Sequence, residues 1–118
     1  MDRDAAAQAL AYLAEMSPDM RGGAILDQAG DVIASGGEPS DWGAATKELM
    51  EAADRAGPDP AEQVHVATEE GEVFALRHAG LTAVAVTERF VLASLMAFDM
   101  RSVLRDLASD RSVTAKEA

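Results

Sequence analysis

The sequence predicts an α+β fold: an α/β/α sandwich around a five-stranded antiparallel sheet, with elements in the order α-ββ-α-βββ-α. Three observations lead there. The runs VHVATE, EVFALRH and LTAVAVTE alternate apolar and polar residues and are joined by turns too short for a parallel crossover, so they form an antiparallel meander. The last two of these strands are apolar on both faces. Val73 and Ala75 alternate with Phe74 and Leu76, while Leu81, Ala83 and Ala85 alternate with Val84 and Val86. Both sides of the sheet therefore need cover. Three further segments carry helical periodicity, which places two helices on one face and one on the other.

The first helix is expected from about Asp4 to Met16, with Ala6, Leu10, Leu13 and Ala14 on one stripe and Ser17-Pro18 ending it. GGAILD then reads as a strand, Gln28-Ala29-Gly30 as a turn, and DVIAS as the second strand. Gly30 suits a position of positive φ in a short hairpin loop. After the loop Gly36-Gly37-Glu38-Pro39, Ser40 is the candidate N-cap, with Asp41 in the first turn where the helix dipole favours an anion. The second helix is expected from Asp41 to Ala56, stopped by Gly57-Pro58. Its stripe is Trp42, Ala45, Leu49, Ala52 or Ala53, and Ala56. The third helix, FVLASLMAFDMRSVLRDL, places Leu92, Leu95, Met96, Asp99, Val103 and Leu107 near one stripe, with Phe98 and Met100 beside it. Residues 109–118, SDRSVTAKEA, lack an apolar face and read as a flexible tail after a single domain over residues 1–108.

Composition narrows the function classes. The 118 residues suffice for one domain. Without cysteine, neither a disulfide framework nor a thiolate metal site forms. The N-terminus begins acidic and carries Tyr12 and Glu15 in its apolar part, unlike a signal peptide, and no run approaches a membrane span, so a cytoplasmic location is the expectation. The net charge of −11 is unevenly placed: residues 1–71 hold four bases and fifteen acids, and the remainder is balanced. Such a field keeps the chain soluble and repels nucleic acid and anionic lipid. A basic partner would be steered by it.

No constellation supports chemistry. His65 and His78 lie on different strands, and no HxH or HExxH spacing brings a third ligand, so both read as half-buried sheet residues. Thr68-Glu69-Glu70-Gly71-Glu72 lacks the alternating oxygen ligands of a calcium loop and reads as a hairpin turn, as does the Asp27-to-Asp31 segment. Gly22-Gly23 and Gly36-Gly37 belong to no phosphate loop, and no nucleophile elbow is present. Asp99 falls on a face expected to be buried, where it needs a partner such as Arg89, Arg101 or backbone amides. The expectation is a binding module without catalytic residues, metal or cofactor.

The third strand ends the meander and carries Val64 and Val66 with no lysine or proline to guard a sheet edge. Beside it stands a second helix whose stripe is mostly alanine, anchored by the single Trp42. Together they predict self-association through this edge.

GGAILDQAGDVIAS resembles the opening hairpin of roadblock-type domains, the family of dynein light chain roadblock and bacterial GTPase regulators. HVATEEGEVFALRHAGLTAVAVTERFVLASLM is similar to that family's closing meander and helix. The element order agrees from about Asp4 to Leu107, while Trp42 and the alanine-rich second helix depart from the usual pattern. The resemblance implies a roadblock/profilin-like fold and a homodimer or heterodimer with third strands paired across a two-fold. Mapped here, the dimer interface would use Val64, His65 and Val66 with Trp42, Ala45, Leu49 and Ala52. It also implies a scaffold or regulator of a small Ras-like GTPase, such as a GTPase activator, without a catalytic residue of its own. The alternative is a profilin-like small-molecule sensor, in which the inward Ala75, Ala83 and Ala85 would leave a ligand cavity. An orphan hydrolase is disfavoured by the missing nucleophile and base.

Overall fold

The chain folds into α1 (Arg3–Met16), β1 (Met20–Leu26), β2 (Val32–Gly37), α2 (Trp42–Arg55), β3 (Gln63–Ala67), β4 (Glu72–His78), β5 (Leu81–Thr87) and α3 (Ala93–Glu117), the order expected from the sequence. The structure is a computed structural model and describes residues 3–37 and 41–117. Ser40, the candidate N-cap, lies outside the described residues. The cap position itself is taken by Asp41, whose side chain makes no capping hydrogen bond.

The strands form one antiparallel sheet in the order β2-β1-β5-β4-β3, so β5 is central and β3 is an edge. The turns behave as their residues require. Asp27 accepts hydrogen bonds from the Ala29 and Asp31 amides at 3.0 Å, and Gly30 takes a φ of 89° between them. Ala79 and Gly80 both have positive φ, at 53° and 80°, giving the twist that a two-residue hairpin between His78 and Leu81 needs. The predicted turn after β3 is closed by Thr68, whose amide and hydroxyl both donate to the Gly71 carbonyl at 2.8 Å.

Two cores form, one on each face of the sheet. Phe74, Leu76, Leu81, Ala83 and Ala85 face α1 and α3, while Ala24, Leu26, Ala75 and Val84 face α2. The sandwich therefore has the expected split of helices. The inward alanines are almost fully buried, at 1% exposure or less for Ala75, Ala83 and Ala85. Small side chains there let the helices approach the sheet closely.

The helix stripes needed correction. In α1, Ala6, Leu10 and Leu13 are buried as expected, but Ala14 is exposed. In α2 the buried residues are Trp42, Thr46 and Met50, spaced four apart; Ala45 and Leu49 are half-buried, and Ala52 and Ala56 are exposed. The alanines do not form the core face because the larger side chains four residues apart fill more of the space above β1 and β2. In α3 the packed face is Met96, Met100, Val103, Leu104 and Leu107. Leu92, Leu95 and Phe98 are exposed, at 67%, 53% and 64%. Apolar residues surround the first two turns of α3, so periodicity cannot choose a face; contact with α1 and the sheet chooses it. The α3 backbone also continues to Glu117, beyond the end of the apolar pattern at Leu107.

Candidate functional site

The candidate site is the β3 edge together with the sheet surface beside α2. On β3 only Val64 is half-buried; Gln63, His65, Val66 and Ala67 are exposed. No strand pairs with its outer side among the described residues. A free edge of this kind presents unpaired N–H and C=O groups to any further strand. Because α2 lies over β1 and β2, it leaves the α2-side surface of β3, β4 and β5 partly open. There an apolar groove of about 250 Å³ forms between Trp42, Ala45 and Leu49 of α2 and Val66, Val73, Val84 and Val86 of the sheet. Thr46 lines the same groove, and its hydroxyl is the one buried side-chain oxygen without a hydrogen-bond partner among the described residues.

Polar contacts hold this edge in place. Arg77 of β4 grips Asp54 of α2 through both guanidinium nitrogens, at 2.8 and 3.1 Å, and also donates to the Ala61 carbonyl at 2.9 Å. The Ala61 amide donates to Asp54 in turn, at 2.9 Å. The end of α2 and the segment entering β3 are thus fixed to one strand. The Arg77 guanidinium, aided by the Ala61 amide, holds the Asp54 carboxyl below the usual carboxylate range. At the other end of the strand, Arg21 donates to the Glu70 and Thr87 carbonyls at 2.8 and 3.0 Å, joining the β3–β4 turn to β1 and β5.

His65 points to the opposite side of the sheet from Val64 and Val66, as strand alternation requires. Its ring stacks on Phe74 with centroids 4.4 Å apart, and its Nε2 lies 2.6 Å from Glu72 Oε1. The second Glu72 oxygen accepts the Val91 amide at 3.0 Å. The His65 hydrogen bond, followed by the backbone amide of Val91 and against the opposing effect of burial, holds the Glu72 carboxyl below its ordinary value. The edge strand is thereby coupled to the loop that starts α3.

Of the seven predicted interface residues, Trp42, Ala45, Leu49 and Val66 line one groove, and Val64 packs against the same cluster. His65 lies on the other face, and Ala52 is exposed outside the groove. Thr46, Val73, Val84 and Val86 complete the groove. The valines were visible as the second apolar face of β4 and β5, but nothing in the sequence says that α2 would leave them uncovered. His78 does not approach His65, and no group of three metal-ligating side chains converges among the described residues. Asp99 has no ion-pair partner among them: Arg101 reaches Gln63 and Arg89 lies over the Phe90 ring. No helix among the described residues is long and apolar enough to cross a membrane.

No protein-family model matches the sequence, and comparison with curated proteins finds no match. Solved structures do match. The roadblock/LC7 domain from Streptomyces avermitilis superposes with a TM-score of 0.76 at 17% identity, over 90% of this chain and 97% of that one. Myxococcus xanthus MglB gives 0.76 at 11% identity, over 95% and 91%. Profilin IB of Acanthamoeba castellanii gives 0.63 at 13% identity, over 92% and 98%. At these identities the likeness is one of fold.

Proposed function

We propose that this chain, which has the fold of a roadblock-type domain, is a non-enzymatic module that pairs with a second copy of itself and, as a pair, binds a small Ras-like GTPase and modulates its nucleotide cycle. The observation that carries the first half is the continuity of an unpaired β3 edge with the open groove beside α2. Pairing two β3 edges satisfies the backbone groups of both and brings each partner's α2 towards the valines that line the other's groove. Thr46 supports this, since a buried hydroxyl without a partner is stabilised by whatever polar group enters the groove. The second half rests on likeness to MglB and on the acidic first part of the chain, which favours a partner with a basic surface.

Solution mass at micromolar concentration tests the pairing, with Val64→Asp plus Val66→Asp as the variant. A two-chain mass that falls to one chain in the variant supports it; a wild type that is one chain removes it. GTPase regulation is then tested with purified Ras-like GTPases loaded with GDP or a GTP analogue, by binding and by phosphate release. Faster release with the wild type and not with the variant supports activation, and binding without a rate change supports tethering. The sensor alternative predicts instead a rise in thermal midpoint with a metabolite and no GTPase binding.

A further inference from the structure

We infer that the surface at the start of α3 is a second docking site, for an amphipathic segment of a partner protein bearing lysine or arginine beside its apolar face. This site lies on the α1/α3 side of the sheet, away from the β3–α2 groove, and does not depend on the pairing proposed there.

The sequence puts Leu92 and Leu95 on the stripe expected to be buried, with Phe98 beside it; the structure puts all three in solvent. Leu92 immediately precedes α3, and Leu95 and Phe98 follow at three-residue spacings on its first turns, where such neighbours lie side by side. Between this strip and the end of α1, a shallow groove of about 120 Å³ is floored by Met16, Pro18, Leu92, Leu95 and Met96. Contiguous apolar surface of this kind on a soluble domain marks an interaction site, whereas isolated exposed leucines do not. Phe90 extends it. That residue is 85% exposed and adopts a φ of 66°, a left-handed conformation that is unfavourable for an aromatic side chain. The conformation is held by the next residue, whose amide is bound to the Glu72 carboxylate. The ring is covered on one side by the Arg89 guanidinium, 4.5 Å from its centroid, and is otherwise left to solvent.

Charge selects the partner. The ionisable groups lining the groove are Asp19 and Asp99, and neither has an ion-pair partner among the described residues. Arg21 is engaged by the Glu70 and Thr87 carbonyls and Arg101 is directed towards Gln63, while Arg89 lies over Phe90 at the edge of the surface and not in the groove. An apolar groove rimmed by two uncompensated carboxylates, on a chain of net charge −11, accepts apolar side chains flanked by cations. The same charge disfavours an anionic membrane.

The probe is a designed Leu/Lys amphipathic helix of about 18 residues, with a Leu/Glu counterpart of the same pattern. The Leu/Lys peptide is expected to bind saturably and to perturb the amide resonances of residues 16–20 and 90–99. Leu92→Ser with Leu95→Ser should weaken binding by about tenfold or more. Asp19→Asn with Asp99→Asn should weaken it severalfold at low salt and flatten its salt dependence. The Asn pair also serves as the test if the Ser pair fails to fold. Val64→Asp with Val66→Asp should leave peptide binding unchanged, which separates this site from the pairing surface. Equal binding of the Leu/Glu peptide, perturbations centred on α2, or insensitivity to both variants overturns the proposal. Two further outcomes replace it. Flotation with phosphatidylcholine vesicles that depends on Leu92 and Leu95, without peptide binding, makes the surface a membrane contact. A solution mass that depends on them makes it a self-association contact.

Discussion

Leu95 and Leu104 sit nine residues apart on α3 and offer a direct comparison of identical chemistry in two environments. Leu104 is fully buried between α1, α3 and the sheet, whereas Leu95 is 53% exposed. Truncating a fully buried leucine to alanine removes its transfer free energy and leaves a cavity, a loss of about 3–5 kcal/mol. At Leu95 about half the side chain is already in water. A fully buried leucine gains about 1.5–3 kcal/mol, so the expected loss there is about 1 kcal/mol or less. Helix propensity does not confound the pair, because leucine and alanine both favour helices. Against a total stability of about 5–15 kcal/mol, Leu104→Ala is a severe change and Leu95→Ala a mild one. Urea denaturation at one fixed protein concentration measures both, the concentration being held because self-association would stabilise the folded state. With a slope of about 1.5 kcal/mol/M, the Leu104→Ala midpoint should fall by about 2 M or more, and that of Leu95→Ala by under 1 M. Equal losses, or a larger loss at Leu95, would show that α3 packs by the face its periodicity suggests, and the docking surface described above would not exist.

Other perturbations have equally definite outcomes. Gly71→Ala places a Cβ within 2.0 Å of Arg21 Nη2 and 2.3 Å of the Thr87 carbonyl, so it should break the Arg21 contacts and destabilise by about 1–3 kcal/mol in the same urea assay. Gly57→Ala meets nothing within 4 Å and should change stability by no more than about 0.5 kcal/mol. Glu72 has a depressed folded value relative to its ordinary 4.5, so the stability it contributes is complete above 4.5 and is lost as pH falls through the lower folded value. Glu72→Gln should therefore be less stable than wild type at neutral pH, and the two denaturation midpoints should converge on acidification below 4.5; parallel curves would refute the role given to this carboxylate. Trp42, the first residue of α2, is 3% exposed, and Trp42→Ala should destabilise by about 3–5 kcal/mol, with a smaller loss showing that α2 is only loosely seated.

Much of the fold was legible because its signals are local. Short turns demanded an antiparallel meander, Gly30 marked a positive-φ position, and the two apolar faces of β4 and β5 demanded helices on both sides. Strand alternation puts His65 on the face opposite Val64 and Val66. The edge position of β3 followed from its place at the end of the meander.

What the sequence by itself determined was therefore connectivity, element order and the alternation of faces, all properties of neighbouring residues and backbone geometry. Only the tertiary structure decided which side of each helix is buried. In α2 the choice fell on Trp42, Thr46 and Met50 in preference to the alanines, and in α3 on Met96, Met100 and Leu104 in preference to Leu92 and Leu95. It also decided that α2 sits over β1 and β2, opening the groove along Val66, Val73 and Val86. Those outcomes depend on how non-local surfaces share a limited apolar area. A helix with apolar residues around most of its circumference carries several acceptable stripes, and the sheet and the neighbouring helix select among them.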